Sequence, residues 1–165
     1  MTEKTSKGRK TDYELLIRQI KALAEISLDE SAVLANASAL LYEALESVNW
    51  AGFYLVRQVE QGGEALIVGP FQGKPACVRI EKGRGVCGAC WAEDRTQLVP
   101  DVHEFPGHIA CDSASNSEVV IPMHRQDGRF YGVLDIDSPE FDRFSADDAS
   151  GLEAFAAALE AIFRG

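Results

Sequence analysis

All four cysteines of the chain, Cys77, Cys87, Cys90 and Cys111, fall in one stretch between Cys77 and Asp112. Cys87 and Cys90 sit in G-R-G-V-C-G-A-C (Gly83–Cys90), and Cys111 in G-H-I-A-C-D (Gly107–Asp112). Thiols set among glycines and short polar residues belong to reachable backbone rather than to a packed core. Three kinds of chemistry compete for them. The first is thiol redox catalysis: a low-pKa thiolate attacks an electrophilic centre, and a second thiol resolves the resulting sulfenic acid as a disulfide. Cys87 falls in the first turn of a helix expected over Val86–Glu93, where the positive helix end would lower its pKa. Cys111 lies beside Asp112. The second is zinc, with Cys87, Cys90, Cys111 and His108 as a Cys3His set. The third is a ligand-binding module that does no chemistry. Cys77, in the apolar P-A-C-V-R-I, reads equally well as a buried small hydrophobe.

Two further constellations could line a site. In Trp50–Val56, alternation puts Trp50, Gly52 and Tyr54 on one strand face and Ala51, Phe53 and Leu55 on the other. Two aromatics flanking a glycine would leave a hollow with an apolar wall, unless they simply complete the core. In Phe130–Asp137, Leu134 and Ile136 share one face, Asp135 and Asp137 the other. Paired carboxylates two residues apart fit either a solvated sheet face or a cation-binding site.

The elements that must position these residues are legible from caps and periodicity. Residues 1–10 carry Lys4, Lys7, Arg9 and Lys10 and read as a disordered basic tail. Thr11-Asp12-Tyr13-Glu14 and Ser27-Leu28-Asp29-Glu30 match capping boxes that open two helices. Their apolar faces are Tyr13, Leu16, Ile20 and Leu23, then Val33, Ala37, Leu40, Leu41 and Ala44. A hairpin turning at Gln61-Gly62-Gly63 follows, from Trp50–Val56 to Ala65–Val68. Gly69–Gly73 reads as a loop, Ala76–Ile80 as a short strand and Leu98-Val99 as another. Asp101–Ser117 is long, polar and irregular, a length that marks functional loops. Val119–Met123 and Phe130–Asp137 pair around Asp127-Gly128, and Ser145 caps a last helix with the face Leu152, Phe155, Leu159 and Ile162. Helices at both ends and strands between predict an α+β domain with an antiparallel sheet.

At 165 residues, 46% hydrophobic and 25% charged, the chain is expected to be one ordinary globular domain over residues 11–165. The formal net charge of -10 argues against nucleic acid and anionic membranes as partners. No apolar run approaches the ~20 residues that span a bilayer, and the polar N-terminus lacks a signal-peptide core, so a cytoplasmic location is expected.

Several segments together resemble the free methionine-(R)-sulfoxide reductases, a family built on a GAF-like domain. They are N-W-A-G-F-Y (Asn49–Tyr54), G-P-F-Q-G-K-x-A-C-V-R-I (Gly69–Ile80), G-R-G-V-C-G (Gly83–Gly88), D-V-H (Asp101–His103), G-H-I-A-C-D-x-x-S-N-S-E (Gly107–Glu118) and G-V-L-D-I-D-S (Gly132–Ser138). The family's cysteines match Cys77, Cys87 and Cys111, while Cys90 has no expected counterpart. The resemblance implies a central antiparallel sheet with terminal helices on one side and a long active-site loop. It implies reduction of free methionine-(R)-sulfoxide through a sulfenic acid and an intramolecular disulfide. Cys111 would attack and Cys87 would resolve, or the two would exchange roles, with Cys77 as alternate or relay. Trp50 and Tyr54 would wall the methylsulfinyl group. Glu118, Asp135 and Asp137 would surround the polar groups of the free amino acid and supply a proton. No bound cofactor is implied; the reductant would be thioredoxin or a similar external dithiol. A homodimer is compatible with this reading, which does not fix the oligomeric state. The other function class left open is a non-catalytic GAF-like module binding a small metabolite.

Overall fold

The computed structural model describes residues 10–108 and 114–164. The basic tail expected before Lys10, and Cys111 with Asp112, lie outside the described residues. In chain order the elements are α1 (Tyr13–Ala24), α2 (Glu30–Ala44), β1 (Trp50–Gln58), β2 (Glu64–Gly73), β3 (Arg79–Ile80), α3 (Gly85–Glu93), β4 (Gln97–Val99), a 3-10 turn (Val102–Glu104), β5 (Ser117–His124), β6 (Phe130–Ser138) and α4 (Ala146–Phe163). Among the described residues, the strands form one six-stranded sheet in the order β3-β2-β1-β6-β5-β4. Every neighbouring pair in it is antiparallel.

Helices α1, α2 and α4 cover one face. Leu16 and Ile20 of α1, Val33, Leu34, Ala37 and Leu41 of α2, and Leu152, Phe155 and Leu159 of α4 meet Ala51, Phe53, Leu55, Val119, Ile121, Met123, Leu134 and Ile136 of the sheet. The expected helical faces hold with two exchanges: Leu23 is 37% exposed and Ala24 takes its place in the core, and Ala44 is exposed while Leu34 of α2 and the neighbouring Leu45 are buried. The other sheet face is covered by the short α3 and the connections around it, over Trp50, Tyr54, Leu66, Val120 and Val133.

The capping boxes expected for the first two helices shift toward the helix. In α1 the cap is Asp12, whose carboxylate accepts from the Leu15 N–H at 3.0 Å. In α2 it is Asp29, accepting from the Ala32 N–H at 2.9 Å, while Ser27 Oγ accepts from the Asp29 N–H and forms the approaching turn. An aspartate caps as well as a serine or threonine, and its charge suits the helix start. Ser145 does cap α4, and with Asp148 it forms a reciprocal box.

Gly69–Gly73 is not a loop: it continues β2 and pairs with Trp50, Ala51 and Gly52 of β1. Because β3 reaches only Leu66 and Ile67, this half of β2 is a free edge, where Pro70 costs no ladder hydrogen bond. A register shift between Gly52 and Tyr54 marks a bulge there. The expected strand over Ala76–Ile80 shrinks to Arg79–Ile80.

Candidate active site

Strand pairing sets the site. Across β5, β6 and β1, Glu118 lies beside Asp137 and Asp137 beside Trp50; one step along, Val120, Asp135 and Gly52 are in line. Tyr54 follows, opposite Val133. Trp50, Tyr54, Glu118, Asp135 and Asp137, all expected from the sequence, therefore project from one sheet face, and all five line one pocket. Over them sits the start of α3, bringing Arg84, Gly85, Val86 and Cys87; Pro75, Ala76, Ile80, His108 and Ser115 complete the wall.

The glycines of G-R-G-V-C-G hold that helix start in place. Gly85 adopts φ 61° and Gly83 φ 82°, the left-handed region open to glycine. The Gly83 N–H donates to the Gly88 carbonyl at 2.9 Å, and a Cβ on Gly88 would lie 2.6 Å from the Glu81 carbonyl oxygen. Gly52 serves differently from the hollow expected of it. Phe71 fills the space over it, so that a Cβ there would collide with Phe71, and the Phe71 ring stacks on Trp50 with centroids 5.1 Å apart. Tyr54 stacks on the same indole at 5.6 Å. Trp50 is thus clamped between two rings, and the pocket opens beside it.

The carboxylates are not on a solvated face. Glu118 and Asp135 are 6% and 5% exposed. Burial, then the nearby charges of Asp135 and Asp137, holds the Glu118 pKa well above the ordinary carboxylate range. Asp135 is raised too, by burial, against hydrogen bonds from Glu118 and Cys87 that favour its charge. Two buried carboxyls that hydrogen-bond each other need a proton between them, so the pair is held partly protonated. Asp135 Oδ1 and Trp50 Nε1 are buried with no hydrogen-bond partner among the described residues.

Cys87 departs from expectation. Burial and the negative charges of Asp135, Glu118 and Asp137 push its thiol well above the ordinary value, overriding the helix end. It is a free thiol whose Sγ donates toward Glu118 Oε1 at 3.9 Å. Cys77, by contrast, is disulfide-bonded. Of the two cysteines expected beside Cys111, the structure therefore has Cys77 bonded and Cys87 free. Cys90, also free, faces away from the pocket, toward the Val120 carbonyl at 3.9 Å. That separates it from Cys87, and the zinc set read from the sequence does not assemble among the described residues. There the one cluster with metal-ligating donors is Cys87, Glu118 and Asp135, within 4.8 Å of one another, which could take a cation only after losing their protons.

Tyr54 is likewise raised, by burial first and then by Asp135, so its hydroxyl stays a donor. His108 is half-buried; burial and then the charge of His103 lower its pKa, leaving a neutral imidazole at the rim near pH 7. Phe71 and Arg84 went unassigned in the sequence. Arg84 could have been found from its place between two glycines before a helix; Phe71 shows its role only once β2 is seen to pair past Gly69.

Comparison with known proteins places this arrangement. A family model described as GAF domain matches residues 29–163. The free methionine-R-sulfoxide reductase of Escherichia coli is 51% identical over 150 residues, covering 91% of this chain and 87% of that protein. The protein of the same name from Saccharomyces cerevisiae is 42% identical over 147 residues, covering 87% and 81%. A solved structure of free methionine-R-sulfoxide reductase from Neisseria meningitidis in complex with its substrate superposes with a TM-score of 0.85 at 42% identity, over 94% of this chain and 93% of that one. The chain belongs to the GAF-domain family and, within it, to the free methionine-R-sulfoxide reductases.

Proposed function

We propose that this protein reduces free methionine-(R)-sulfoxide to methionine, with two cysteine thiols as the electron source. The observation that carries this reading is the pocket itself: an indole wall against a buried, proton-sharing carboxyl pair, in a chain half identical to a reductase of that name. The stacked Trp50 and Tyr54 offer an apolar surface for the methylsulfinyl end. The acidic floor suits an α-ammonium, a charge that a residue inside a peptide lacks.

In the first step the Cys111 thiolate attacks the sulfoxide sulfur. As the Cys111 sulfur bonds to the sulfoxide sulfur, a proton from the Glu118–Asp135 pair goes to the oxygen. The S–O bond then breaks, and the oxygen passes as hydroxide to the Cys111 sulfur. The S–S bond breaks with its electron pair going to the methionine sulfur, so that methionine leaves and Cys111 remains as sulfenic acid. A second thiol then displaces that oxygen as water and forms a disulfide. We assign this role to Cys77, because it is disulfide-bonded while Cys87 and Cys90 remain free thiols. An external dithiol of the thioredoxin type reduces the disulfide by exchange and closes the cycle. Cys87 stays protonated and hydrogen-bonded to the carboxyl pair.

The test is product formation with dithiothreitol as reductant. Free L-methionine-(R)-sulfoxide should be turned over, and the (S) epimer and a peptide-bound (R) sulfoxide should not. Binding of the free sulfoxide without any turnover would instead support the non-catalytic module.

A further inference from the structure

The proposed reduction gives Cys87 no electrons to carry, yet its thiol stands at the meeting point of α3, β5 and β6. Cys87 Sγ, a carboxylate oxygen of Glu118 and one of Asp135 all lie within 4.8 Å of one another, and all three residues are buried. Cys87 Sγ is 3.9 Å from Glu118 Oε1. A tetrahedral zinc ion, bound at about 2.3 Å to sulfur and about 2.0–2.2 Å to oxygen, would hold those two atoms about 3.6 Å apart. A donor is also left over. Asp135 lines the pocket with Cys87 and Glu118, is 5% exposed, and its Oδ1 has no hydrogen-bond partner among the described residues.

Resting on the reductase reading for its consequence, we propose that Cys87, Glu118 and Asp135 form a binding site for a thiophilic divalent cation of the zinc type, and that its occupancy switches the reduction off. The donor set chooses the metal. A thiolate with two carboxylate oxygens is a mixed set that zinc takes, whereas magnesium and calcium ask for oxygen alone. Charge balance permits the burial. Without metal the cluster holds a protonated thiol and a carboxyl pair with a proton between its members. Binding releases those two protons and puts two positive charges in their place, so the buried site keeps its net charge. Three protein donors leave a tetrahedral ion a fourth position for water. The same exchange takes away the proton that the departing sulfoxide oxygen needs. Cys90, aimed at the Val120 carbonyl, has no part in the site.

The test titrates chelator-stripped, phosphine-reduced protein with cobalt(II), whose bond to a thiolate absorbs in the near ultraviolet, and then with zinc. The wild type should bind about one cobalt(II) per chain with that band, which zinc removes and excess magnesium does not. Cys90→Ser and Cys111→Ser should keep the band, and Cys87→Ser should lose it. Asp135→Asn should keep the thiolate yet bind at least ~10-fold more weakly, since even the outer partners of a metal are worth that much. A wild type without the band, a band that survives Cys87→Ser or is lost in Cys90→Ser or Cys111→Ser, or an affinity that Asp135→Asn leaves unchanged overturns the site. Zinc-loaded wild type should make no methionine in a single turnover until a chelator is added; full yield from the loaded protein overturns the inhibition. Should metal-free protein make no methionine either, the reductase reading is the one that fails, and the cobalt spectrum, which needs no turnover, still decides on the site.

Discussion

The two faces of the central sheet are made by the same strands, residue against residue, and they are built to opposite rules. In β6, Leu134 and Ile136 point into a core sealed by α1, α2 and α4, whereas Asp135 and Asp137 between them point into the pocket. β1 divides in the same way, with Phe53 on one side and Trp50 and Tyr54 on the other. On the helix face the buried groups are almost all apolar, and the exceptions, such as Ser38, are hydrogen-bonded to backbone carbonyls, so this face contributes to stability. On the pocket face two carboxyls and a thiol are buried together at an energetic cost that the first face must offset. The fold stores on one side what it uses on the other.

Substitutions should separate the two faces. The largest effect belongs to the chemistry: Cys111→Ser should yield no methionine in a single turnover without reductant, while the circular dichroism spectrum stays that of the wild type. On the helix face, Phe155→Ala should cost about 3–5 kcal/mol in denaturant unfolding, because Phe155 is fully buried.

Asp135→Asn should move activity and stability in opposite directions. Losing one member of the proton-sharing pair should lower kcat by ~10²–10⁴-fold. The folded pKa values of Glu118 and Asp135 lie above their unfolded ones, so the native state binds more protons than the unfolded chain. Their contribution to stability is complete below about pH 4 and is lost as pH rises through the raised folded values. Asp135→Asn should therefore melt above the wild type at pH 8, with the gap closing toward pH 4. A variant that melts lower at pH 8 would mean the pocket face stabilises the fold. The smallest effect is local to the helix face: Ser145→Ala should cost ~1 kcal/mol by removing the α4 cap, with kcat unchanged.

Much of this was legible in the sequence because it follows from local rules. Alternation placed Trp50 with Tyr54 and Asp135 with Asp137, and each pair does share the pocket face. The turns at Gly62-Gly63 and Gly128 announced themselves through glycines that adopt positive φ. What could not be read were properties of packing between distant segments. A helix start predicts an acidic thiol, yet Cys87 is pushed the other way because it is buried and because β5 and β6 place Asp135 and Glu118 against it. Gly52 suggested a hollow, but Phe71 of β2 occupies it. The strand through Gly69–Gly73 looked like a loop because Pro70 is tolerated only where no neighbouring strand needs its N–H. The cysteine spacing C-x-x-C suggested shared chemistry, whereas one turn of α3 aims Cys87 at the carboxylates and Cys90 at the Val120 carbonyl.

The most direct test is a single turnover. Fully reduced protein is mixed with one equivalent of free methionine-(R)-sulfoxide without reductant, methionine is quantified, and the cysteines are mapped by mass spectrometry. The expected result is about one methionine per chain, a new disulfide that includes Cys77, and Cys87 and Cys90 still alkylatable as free thiols. No methionine, or a disulfide that takes up Cys87 and leaves Cys77 free, would contradict the account.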